Sequence, residues 1–540
     1  MSTSRTRRVT TKGPAKPAAA PGRKPGTASA AKAPVKLPAE TLAKPRPVAK
    51  AKPAVKPKPR TAAAAAAVPA ARRRPRQPSG AAANWRVRVR MYRHGLGDCF
   101  LLSFRADEGL RQVLIDCGAL ARDRTQMTTL AEQIRDHAIE AGGRPGAPAR
   151  LDVVVATHEH KDHVSGFNQA RAVFDAMDIG SVWMGWTENL AVPEIQAIRD
   201  TRRNARNTLM AALERHAGAA AMDEVGPLMD FGADDDSPGD RTVAQAMAYL
   251  KARGKRAGDL RFIEPGGAPI ALPGVPGVRV YALGPPRDPQ LLKTSAVTER
   301  MKHDGVVYHL AATGEAGLQA LAAAGAAQDN DRHQPFAREQ RLLRGNPYMA
   351  EIMGDTLAAY DRPDLAWRRV DDDWMSAFGQ LALDLDNDTN NTSLVLAFEL
   401  VAGGEVLLFA ADAQVGSWLS WAELAFTVPG RAQPLPAHDL LRRAVFYKVG
   451  HHCSHNATLK TGGLELMTRD DLTAFVPLDQ ETARKQGSKG WQMPAPALAA
   501  GLLRQTGGRM VISDRSLPLP AAAALAGVVA TEDYIDYFLR

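Results

Sequence analysis

Short apolar runs separated by turns and charged residues predict a series of strands. Five occur in the first half of the chain: WRVRVRMY (85–92), GLGDCFLLSF (95–104), RQVLIDCG (111–118), LDVVVAT (151–157) and SVWMGW (181–186). The first alternates like a half-buried strand, whereas the fourth is a continuous apolar run, typical of a buried strand, that stops at His158. The spacing of apolar residues over 193–222 predicts a helix instead.

A second group of strands is predicted towards the C-terminus. Its members are VRVYALGPP (278–286), SLVLAFEL (393–400), EVLLFAAD (405–412), AVFYKVG (444–450) and, as the last strand, RMVISD (509–514). The second and third of these flank a Gly-Gly turn and predict a hairpin. Residues 495–505 predict a short amphipathic helix, and the polar residues 287–385 predict a helical insertion. Strands interspersed with helices indicate a mixed α/β body.

The net charge of +11 divides the chain into two parts. Residues 1–83 contain 20 Lys and Arg and one acidic residue, whereas residues 84–540 contain 49 basic and 57 acidic residues. The first part is rich in Ala, Pro, Lys and Arg, with little apolar surface to bury, and predicts a disordered tail. Such a tail can bind nucleic acid through phosphates, or can serve as a solubilising linker, and both alternatives stay open. We expect 84–540 to form one enlarged domain.

Cysteine content indicates the redox compartment, and hydropathy indicates whether the chain can span a membrane. Three cysteines exclude a disulfide framework and are consistent with a reducing, cytoplasmic environment. No run of about 18 apolar residues occurs, so we expect no membrane span.

Residues typical of metal sites follow the buried strand directly. THEHKDH (157–163) contains His158, His160, Asp162 and His163. Imidazole and carboxylate ligands at this density suit Zn²⁺, Mn²⁺ or iron. A strand end followed by a turn can hold His158 and His160 on one ion, while Asp162 and His163, at the start of the next helix, reach a second. The motif therefore predicts a centre with two divalent ions, Zn or Mn.

The order His-x-His-x-Asp-His after a buried strand resembles the signature of the metallo-β-lactamase superfamily. GLGDCFLL, NNTSLVL, LLFAAD and YKVGHHCS further resemble the motifs of its DNA-internalisation (ComEC/Rec2) branch. The resemblance covers about residues 86–186, 277–286 and 391–515. It implies an α/β fold, the four-layer αββα sandwich, with 287–385 inserted beside the active-site face. Without a membrane channel, the chain resembles only the soluble catalytic module of that branch.

The resemblance also implies a set of site residues. The metal ligands would be His158, His160, Asp162, His163, Asp412 as the bridging carboxylate, and His451 or His452. Asp162 would also orient the nucleophile, and Lys448 could meet a phosphate at the mouth of the site. The residues expected to support the site are Asp98, Asp116, Asn391, Ser393 and His455. For Asp98, a hydrogen bond near the metal and a tight Gly-flanked turn stay open as alternatives.

The chain departs from the superfamily at three places. Most members have a further His ligand before the bridging Asp, and the histidines in that interval are read as surface or core residues: His216, His303, His309 and His333. Cys453 stands where the branch prefers Gly, as a small residue in a turn or as a thiolate ligand. GWQMPAP (490–496) replaces a segment that often carries His.

The residues and the resemblance together predict metal-assisted hydrolysis through a bridging hydroxide. We expect a phosphodiesterase or nuclease, since the branch resemblance and the basic tail both favour that substrate class. Hydrolysis of a small ester, lactone, thioester or amide is the first alternative. A metal-binding module without catalytic activity is the second, because the intermediate His is missing.

Overall fold

The structure is a computed structural model that describes residues 84–142, 148–200, 242–294, 389–486, 490–517 and 525–540, with positions 354–355, 358–359 and 362. The predicted tail and its contact with nucleic acid lie outside the described residues. Most of the predicted insertion lies outside them as well, and so do the four intermediate histidines. Of the helix predicted over 193–222, residues 193–200 are described and are helical.

The described residues contain seventeen strands. Those of the first half are β1 Val87–Tyr92, β2 Phe100–Ala106, β3 Gly109–Ile115, β4 Arg150–Ala156, β5 Asp178–Gly185, β6 Leu260–Ile263, β7 Ile270–Ala271 and β8 Val278–Gly284. Those of the second half are β9 Val395–Leu400, β10 Glu405–Phe409, β11 Ala425–Phe426, β12 Leu435–Pro436, β13 Ala444–Lys448, β14 Thr473–Val476, β15 Met510–Ile512, β16 Val528–Ala530 and β17 Tyr534–Leu539.

Helices connect many of these strands. Those with described bounds are α1 Arg124–Gly142, α2 Lys161–Gln169, α3 Arg171–Asp175, α4 Thr242–Ala257, α5 Pro289–Leu292, α6 Val415–Ser420, α7 Ala437–Arg442, α8 Gln480–Arg484 and α9 Pro496–Gln505. Short 3₁₀ turns lie at Trp186–Glu188, His451–Cys453 and Leu464–Leu466. Among the described residues, no helix has both the length and the apolar composition needed to cross a membrane.

Two large mixed sheets organise the strands. The first has the order β16-β17-β1-β2-β3-β4-β5-β6, in which β3 to β6 run parallel to one another and the remaining neighbours pair antiparallel. The second has the order β15-β14-β13-β10-β9-β8-β7, with the parallel run from β15 to β10. A two-stranded sheet joins β11 and β12. The prediction of a mixed α/β body is confirmed.

Three apolar clusters hold these elements together. The central cluster contains buried residues of both large sheets, and aromatic pairs cross between them: Phe100 with Phe409 and Phe104 with Phe398, each at 5.7 Å between ring centroids. A second cluster joins the first sheet to α1, α2 and α4, and a third joins the second sheet to α6, α7 and α9. Each large sheet therefore buries both of its faces.

The predicted strands are present, but one of them was wrongly predicted to be the last. Every predicted apolar run contains a strand, and β9 and β10 form the predicted antiparallel hairpin. The prediction that RMVISD is the last strand is wrong, because β16 and β17 follow it and β17 pairs with β1 from Val87↔Leu539 to Tyr92↔Tyr534. This pairing joins segments that are far apart in sequence, so no local pattern points to it.

The topology brings several polar loops to one edge of the sheets. Asp98 precedes β2, and the other polar residues follow strands that run antiparallel to β2 or belong to the parallel run of the second sheet: Asp116 after β3, His158 after β4, Asp412 after β10 and His451 after β13. The carboxyl ends of parallel strands are where α/β sheets place ligands. The candidate site lies at this edge.

Candidate metal centre

The loops at this edge have an unusual backbone conformation. Five non-glycine residues among those described have a positive φ: Asp116 (56°), Ala411 (47°), His451 (39°), His452 (50°) and Cys453 (65°). All five lie in the loops that follow β3, β10 and β13. Such conformations cost about 1–3 kcal/mol each and persist where the surrounding structure holds them, often at ligand sites. Backbone strain and the sequence motif therefore mark the same edge.

The loop after β3 packs against the start of α2. Gly118 makes this possible, since a Cβ at that position would lie 2.4 Å from the backbone nitrogen of His163. The backbone of Cys117 donates to the carbonyl of His163 at 2.8 Å, and that of Asp98 donates to the carbonyl of Asp162 at 2.9 Å. These contacts fix the first turn of α2, which carries two of the predicted ligands.

His163 is oriented by a buried carboxylate. Its Nδ1 lies 2.8 Å from Asp116 Oδ2, and the same carboxylate accepts from the backbone and the hydroxyl of Thr157 at 2.8 and 2.6 Å. A histidine held through one ring nitrogen presents the other to a metal. His163 Nε2 therefore faces Asp412, the predicted bridging carboxylate.

His452 is oriented in the same way by a main-chain carbonyl. Its Nδ1 lies 2.6 Å from the oxygen of Pro477, and its Nε2 lies 2.8 Å from Asp162 Oδ2. The side chain is buried, and Nε2 lies 3.6 Å from Asp412 Oδ2. Of the two candidates for the final ligand, His452 therefore points into the centre.

Asp412 lies between these two imidazoles. Its Oδ2 is 3.1 Å from His163 Nε2, while its Oδ1 accepts from the backbone of His451 at 3.1 Å. Burial alone would raise the pKa of Asp412, but His163, Lys448 and His452 hold it well below its usual range. Burial alone would lower the pKa of His163, but the nearby carboxylates, Asp412 foremost, raise it well above the ordinary value.

A buried group of these residues could hold a metal ion. Asp98, His163, Asp412 and His452 each offer a ligand atom, and these atoms lie within 4.8 Å of one another. Asp162 adjoins the group through His452, and Asp162 Oδ1 is buried without a hydrogen-bond partner. Buried polar atoms normally have partners, so an unpaired carboxylate oxygen beside imidazole nitrogens fits a cation. The donor set, imidazole and carboxylate, suits Zn²⁺ or Mn²⁺.

His158 and His160 form a second pair of donors beside this group. His158 Nε2 lies 3.0 Å from His160 Nδ1, and the rings of His158 and His163 have their centroids 4.1 Å apart. Burial is the main cause that lowers the pKa of His158 well below its ordinary value and that of His160 to about 3. Both rings are therefore neutral at pH 7, the form that binds metals.

Ser393 connects this pair to Asp412. Its hydroxyl lies 3.3 Å from His158 Nδ1 and accepts from the backbone of Asp412 at 3.2 Å. Asn391 lies further out: its amide donates to the carbonyl of Thr294 and its Oδ1 accepts from the backbone of Gln414. Ser393 therefore contacts the predicted ligands directly, and Asn391 shapes the loop that follows Asp412.

Lys448 is enclosed beside Asp98 and Asp412. Its side chain is 1% exposed, and Nζ contacts Asp98 Oδ2 at 2.5 Å, the carbonyl of Ala411 at 2.7 Å and Asp412 Oδ1 at 3.3 Å. Burial alone would lower the pKa of Lys448, but Asp98 and Asp412 raise it. The predicted phosphate contact at the mouth of the site does not match this enclosed position. Asp98 itself forms an ion pair with Lys448, and its backbone donates to the carbonyl of Asp162 at 2.9 Å.

Three other predicted positions lie at the rim of the group or outside it. His451 is half-buried, and its Nδ1 contacts Ser454 Oγ at 2.8 Å and Gln414 Nε2 at 3.2 Å. His455 is exposed. Cys453 is buried in the left-handed turn, and its backbone oxygen accepts from Ala495 at 2.8 Å. Burial raises the pKa of the Cys453 thiol to about 12, so the residue fills the turn as a small thiol.

Sequence reasoning assigned no role to three groups that support the centre. Thr157 buttresses Asp116, the carbonyl of Pro477 orients His452, and Gln414 contacts His451. Thr157 precedes the His motif directly and Pro477 follows β14, so their positions at strand ends were a usable signal. Gln414 offered none, since its contact depends on the fold.

Comparison of the chain with models of known protein families found no match, and comparison with curated proteins found none either. The geometry of the site and the motif itself therefore carry the functional argument.

Proposed function

We propose that the chain is a metal-dependent hydrolase of the metallo-β-lactamase superfamily, similar to the soluble catalytic module of the DNA-internalisation branch, and that it cleaves phosphodiester bonds. One observation carries this proposal. His163 Nε2 from α2, His452 Nε2 from the turn after β13 and Asp412 Oδ2 from the loop after β10 converge in a buried space where Asp162 Oδ1 has no hydrogen-bond partner.

The arrangement of the sheets supports the four-layer αββα form of that fold. The two large sheets share the central cluster, and each has helices against its other face. The His motif follows β4 and Asp412 follows β10, the order of landmarks that the resemblance implies. We also propose a cytoplasmic location, which the three free, buried cysteines support.

The residues divide into two donor sets. Asp162, His163 and His452 would hold one divalent ion, Zn or Mn, and His158 and His160 a second, with Asp412 shared between them. Ions bound there would supply a water of lowered pKa and positive charge beside the reacting oxygens.

Asp162 is the residue that we assign to the nucleophile. One of its oxygens contacts His452 Nε2, and the other, Oδ1, is buried and unpaired. Burial alone would raise the pKa of Asp162, but His163 and His452 outweigh burial and lower this pKa to about 2. The carboxyl group therefore stays ionised at neutral pH. Oδ1 can therefore accept a hydrogen bond from the attacking water and orient it towards the substrate.

A phosphodiester substrate is favoured by the branch resemblance and by the 20 basic residues of segment 1–83. The burial of the ligands favours a second candidate, a small ester, lactone, thioester or amide. His158, His163 and Asp412 are 0–1% exposed, which suits a small substrate better than a wide duplex.

Turnover by the purified full chain tests the proposal. The protein is loaded with Mn²⁺ or Zn²⁺ and assayed on bis(p-nitrophenyl) phosphate, DNA and RNA, beside a panel of esters, lactones, thioesters and amides. Phosphodiester cleavage that is lost in Asp162→Ala supports the proposal. Asp136→Ala is the control, because Asp136 is an exposed Asp on α1.

The other outcomes separate the alternatives. Turnover of esters or lactones with inert phosphodiesters would identify the second candidate, and removal of residues 1–83 should then leave it unchanged. Bound metal without turnover on any substrate would identify a non-catalytic metal-binding module. Full phosphodiesterase activity in Asp162→Ala would contradict the mechanism.

A further inference from the structure

The contacts of Lys448 suggest a role other than substrate binding. The amino group at the end of β13 reaches oxygens from two other loops, those of Asp98, Ala411 and Asp412. Its side chain is 1% exposed, so these oxygens are its partners in place of water. A buried ammonium group with three oxygen partners uses all three of its donors.

The two oxygens of Asp412 consequently have different surroundings. Oδ1 faces Lys448 Nζ at 3.3 Å and the backbone N–H of His451 at 3.1 Å. Oδ2 faces His163 Nε2 at 3.1 Å and His452 Nε2 at 3.6 Å. The carboxylate therefore directs Oδ2 towards the two histidines, while Oδ1 contacts Lys448 and the backbone of His451.

Asp98 approaches the same two histidines at their Nδ1 atoms. Its oxygens are 3.8 Å from His163 Nδ1 and 3.9 Å from His452 Nδ1, whereas Asp412 Oδ2 faces the Nε2 atoms. Its Oδ2 is 2.5 Å from Lys448 Nζ. Asp98 is thus placed to balance the charge of Lys448, and the charge of Asp412 stays available to a cation.

Lys448 also holds the strained turn before Asp412. Ala411 has a φ of 47°, and its carbonyl accepts both from Lys448 Nζ at 2.7 Å and from the backbone of His451 at 3.1 Å. The same amino group therefore fixes the turn and the carboxylate that the turn carries.

We propose that Lys448 is a positioning residue of the metal centre: its ammonium group, balanced by Asp98, fixes Asp412 so that the carboxylate presents a single oxygen to the bound cation. This inference rests on the metal centre of the proposed function. It adds a specific role for a residue that contacts neither substrate nor metal.

The sign of a change in metal affinity distinguishes positioning from simple charge repulsion. If Lys448 acted only as a nearby positive charge, its removal would tighten cation binding. If it positions Asp412, its removal weakens binding, and loss of such outer contacts typically costs about 10–100-fold in metal affinity. Lys448→Met alone keeps all four residues of the buried group, and loss of a positive charge by itself would tighten cation binding, so weaker binding in this variant isolates the positioning effect.

The experiment measures Mn²⁺ and Zn²⁺ binding to the full chain by calorimetry after chelation, together with the visible absorption of the Co²⁺-loaded protein. We expect Lys448→Met to bind about 10–100-fold more weakly than the wild type and to show altered Co²⁺ bands. Lys460→Met, at a half-exposed lysine that pairs with Glu465, is the control and should match the wild type. Thermal unfolding of the metal-free proteins establishes that each variant is folded.

Equal or tighter binding by folded Lys448→Met, with unchanged Co²⁺ bands, would overturn the inference and leave the metal centre intact. Failure of the wild type to bind any of the three cations would instead overturn the centre itself. If Lys448→Met does not fold, Lys448→Arg decides: the guanidinium group keeps the positive charge but cannot reproduce the three contacts of the ammonium group, so cation binding should weaken. Unchanged binding in Lys448→Arg would contradict the role assigned to Lys448.

Discussion

Asp116 Oδ2 and His163 Nδ1 lie 2.8 Å apart in a fully buried contact, and this contact determines which nitrogen of His163 faces the centre. Asp116 accepts from Thr157 as well, so the carboxylate is held from two sides. The strained backbone of Asp116, with a φ of 56°, aims it at the first turn of α2. The orientation of His163 therefore follows from the conformation of the loop after β3.

We predict that Asp116→Asn weakens Zn²⁺ or Mn²⁺ binding about 10–100-fold. The amide can still accept a hydrogen bond, but it lacks the charge that fixes the tautomer of His163. Calorimetric titration of the metal-free protein measures the effect.

Asp152→Asn provides the control for this change. Asp152 is also buried, accepts from the backbone of Gln112 at 2.8 Å and lies near the start of β4, whereas the His motif follows the end of that strand. It should lose stability without losing metal affinity. Equal losses of affinity in both variants would show that the Asp116 effect is a general consequence of a weakened sheet.

The turn after β13 gives a prediction about stability. Cys453 has a φ of 65°, a conformation that costs an L-residue about 1 kcal/mol or more and glycine almost nothing. Cys453→Gly should therefore be more stable than Cys453→Ala by about 1 kcal/mol in urea unfolding of the metal-free protein. At Cys99, which is buried without a positive φ, the order should reverse. A more stable alanine variant at both positions would exclude strain at Cys453.

Local patterns predicted most of the strands because alternation and apolar runs reflect which faces are buried. They did not predict β14, β16 and β17, or the helices α1 and α4. The partner of β17 is β1, and pairing between segments this far apart depends on the whole fold. Arg90 on β1 is buried against Asp536 on β17, whereas the alternating pattern of β1 predicts a solvent-facing arginine at this position.

The site was predictable where it is local and unpredictable where it depends on the fold. The four predicted ligands of the His motif lie within the seven residues 157–163, so their proximity follows from the sequence alone. The choice of His452 over His451 depends on three consecutive left-handed residues and on the carbonyl of Pro477. The buried position of Lys448 depends on Asp98, which comes from a loop 350 residues earlier.

The ion pair between Arg90 and Asp536 should stabilise the attachment of β17. Arg90 Nε and Nη2 each lie 2.7 Å from an oxygen of Asp536, and both side chains are buried. Removing one partner leaves an unpaired buried charge, so Asp536→Ala should lower the free energy of unfolding by about 3–5 kcal/mol. The exposed pair Arg515–Asp533 is the control, and Asp533→Ala should cost about 0–1 kcal/mol. Urea unfolding at pH 7 compares them, and equal costs would contradict the argument.

Glu188 should make the stability depend on pH in the acidic range. Burial alone would raise its pKa, but Arg199 at 2.9 Å and Lys251 at 3.0 Å lower it from 4.5 to about 2. A depressed pKa stabilises the fold above pH 4.5, and this contribution, about 3 kcal/mol, is lost as the pH falls from 4.5 towards 2. The stability advantage of the wild type over Glu188→Gln should therefore shrink across that range in urea unfolding. Glu481→Gln, in an exposed pair with Lys485, should show almost no such change. A constant difference between wild type and Glu188→Gln from pH 6 to pH 2 would show that this ion-pair network does not set the acid stability.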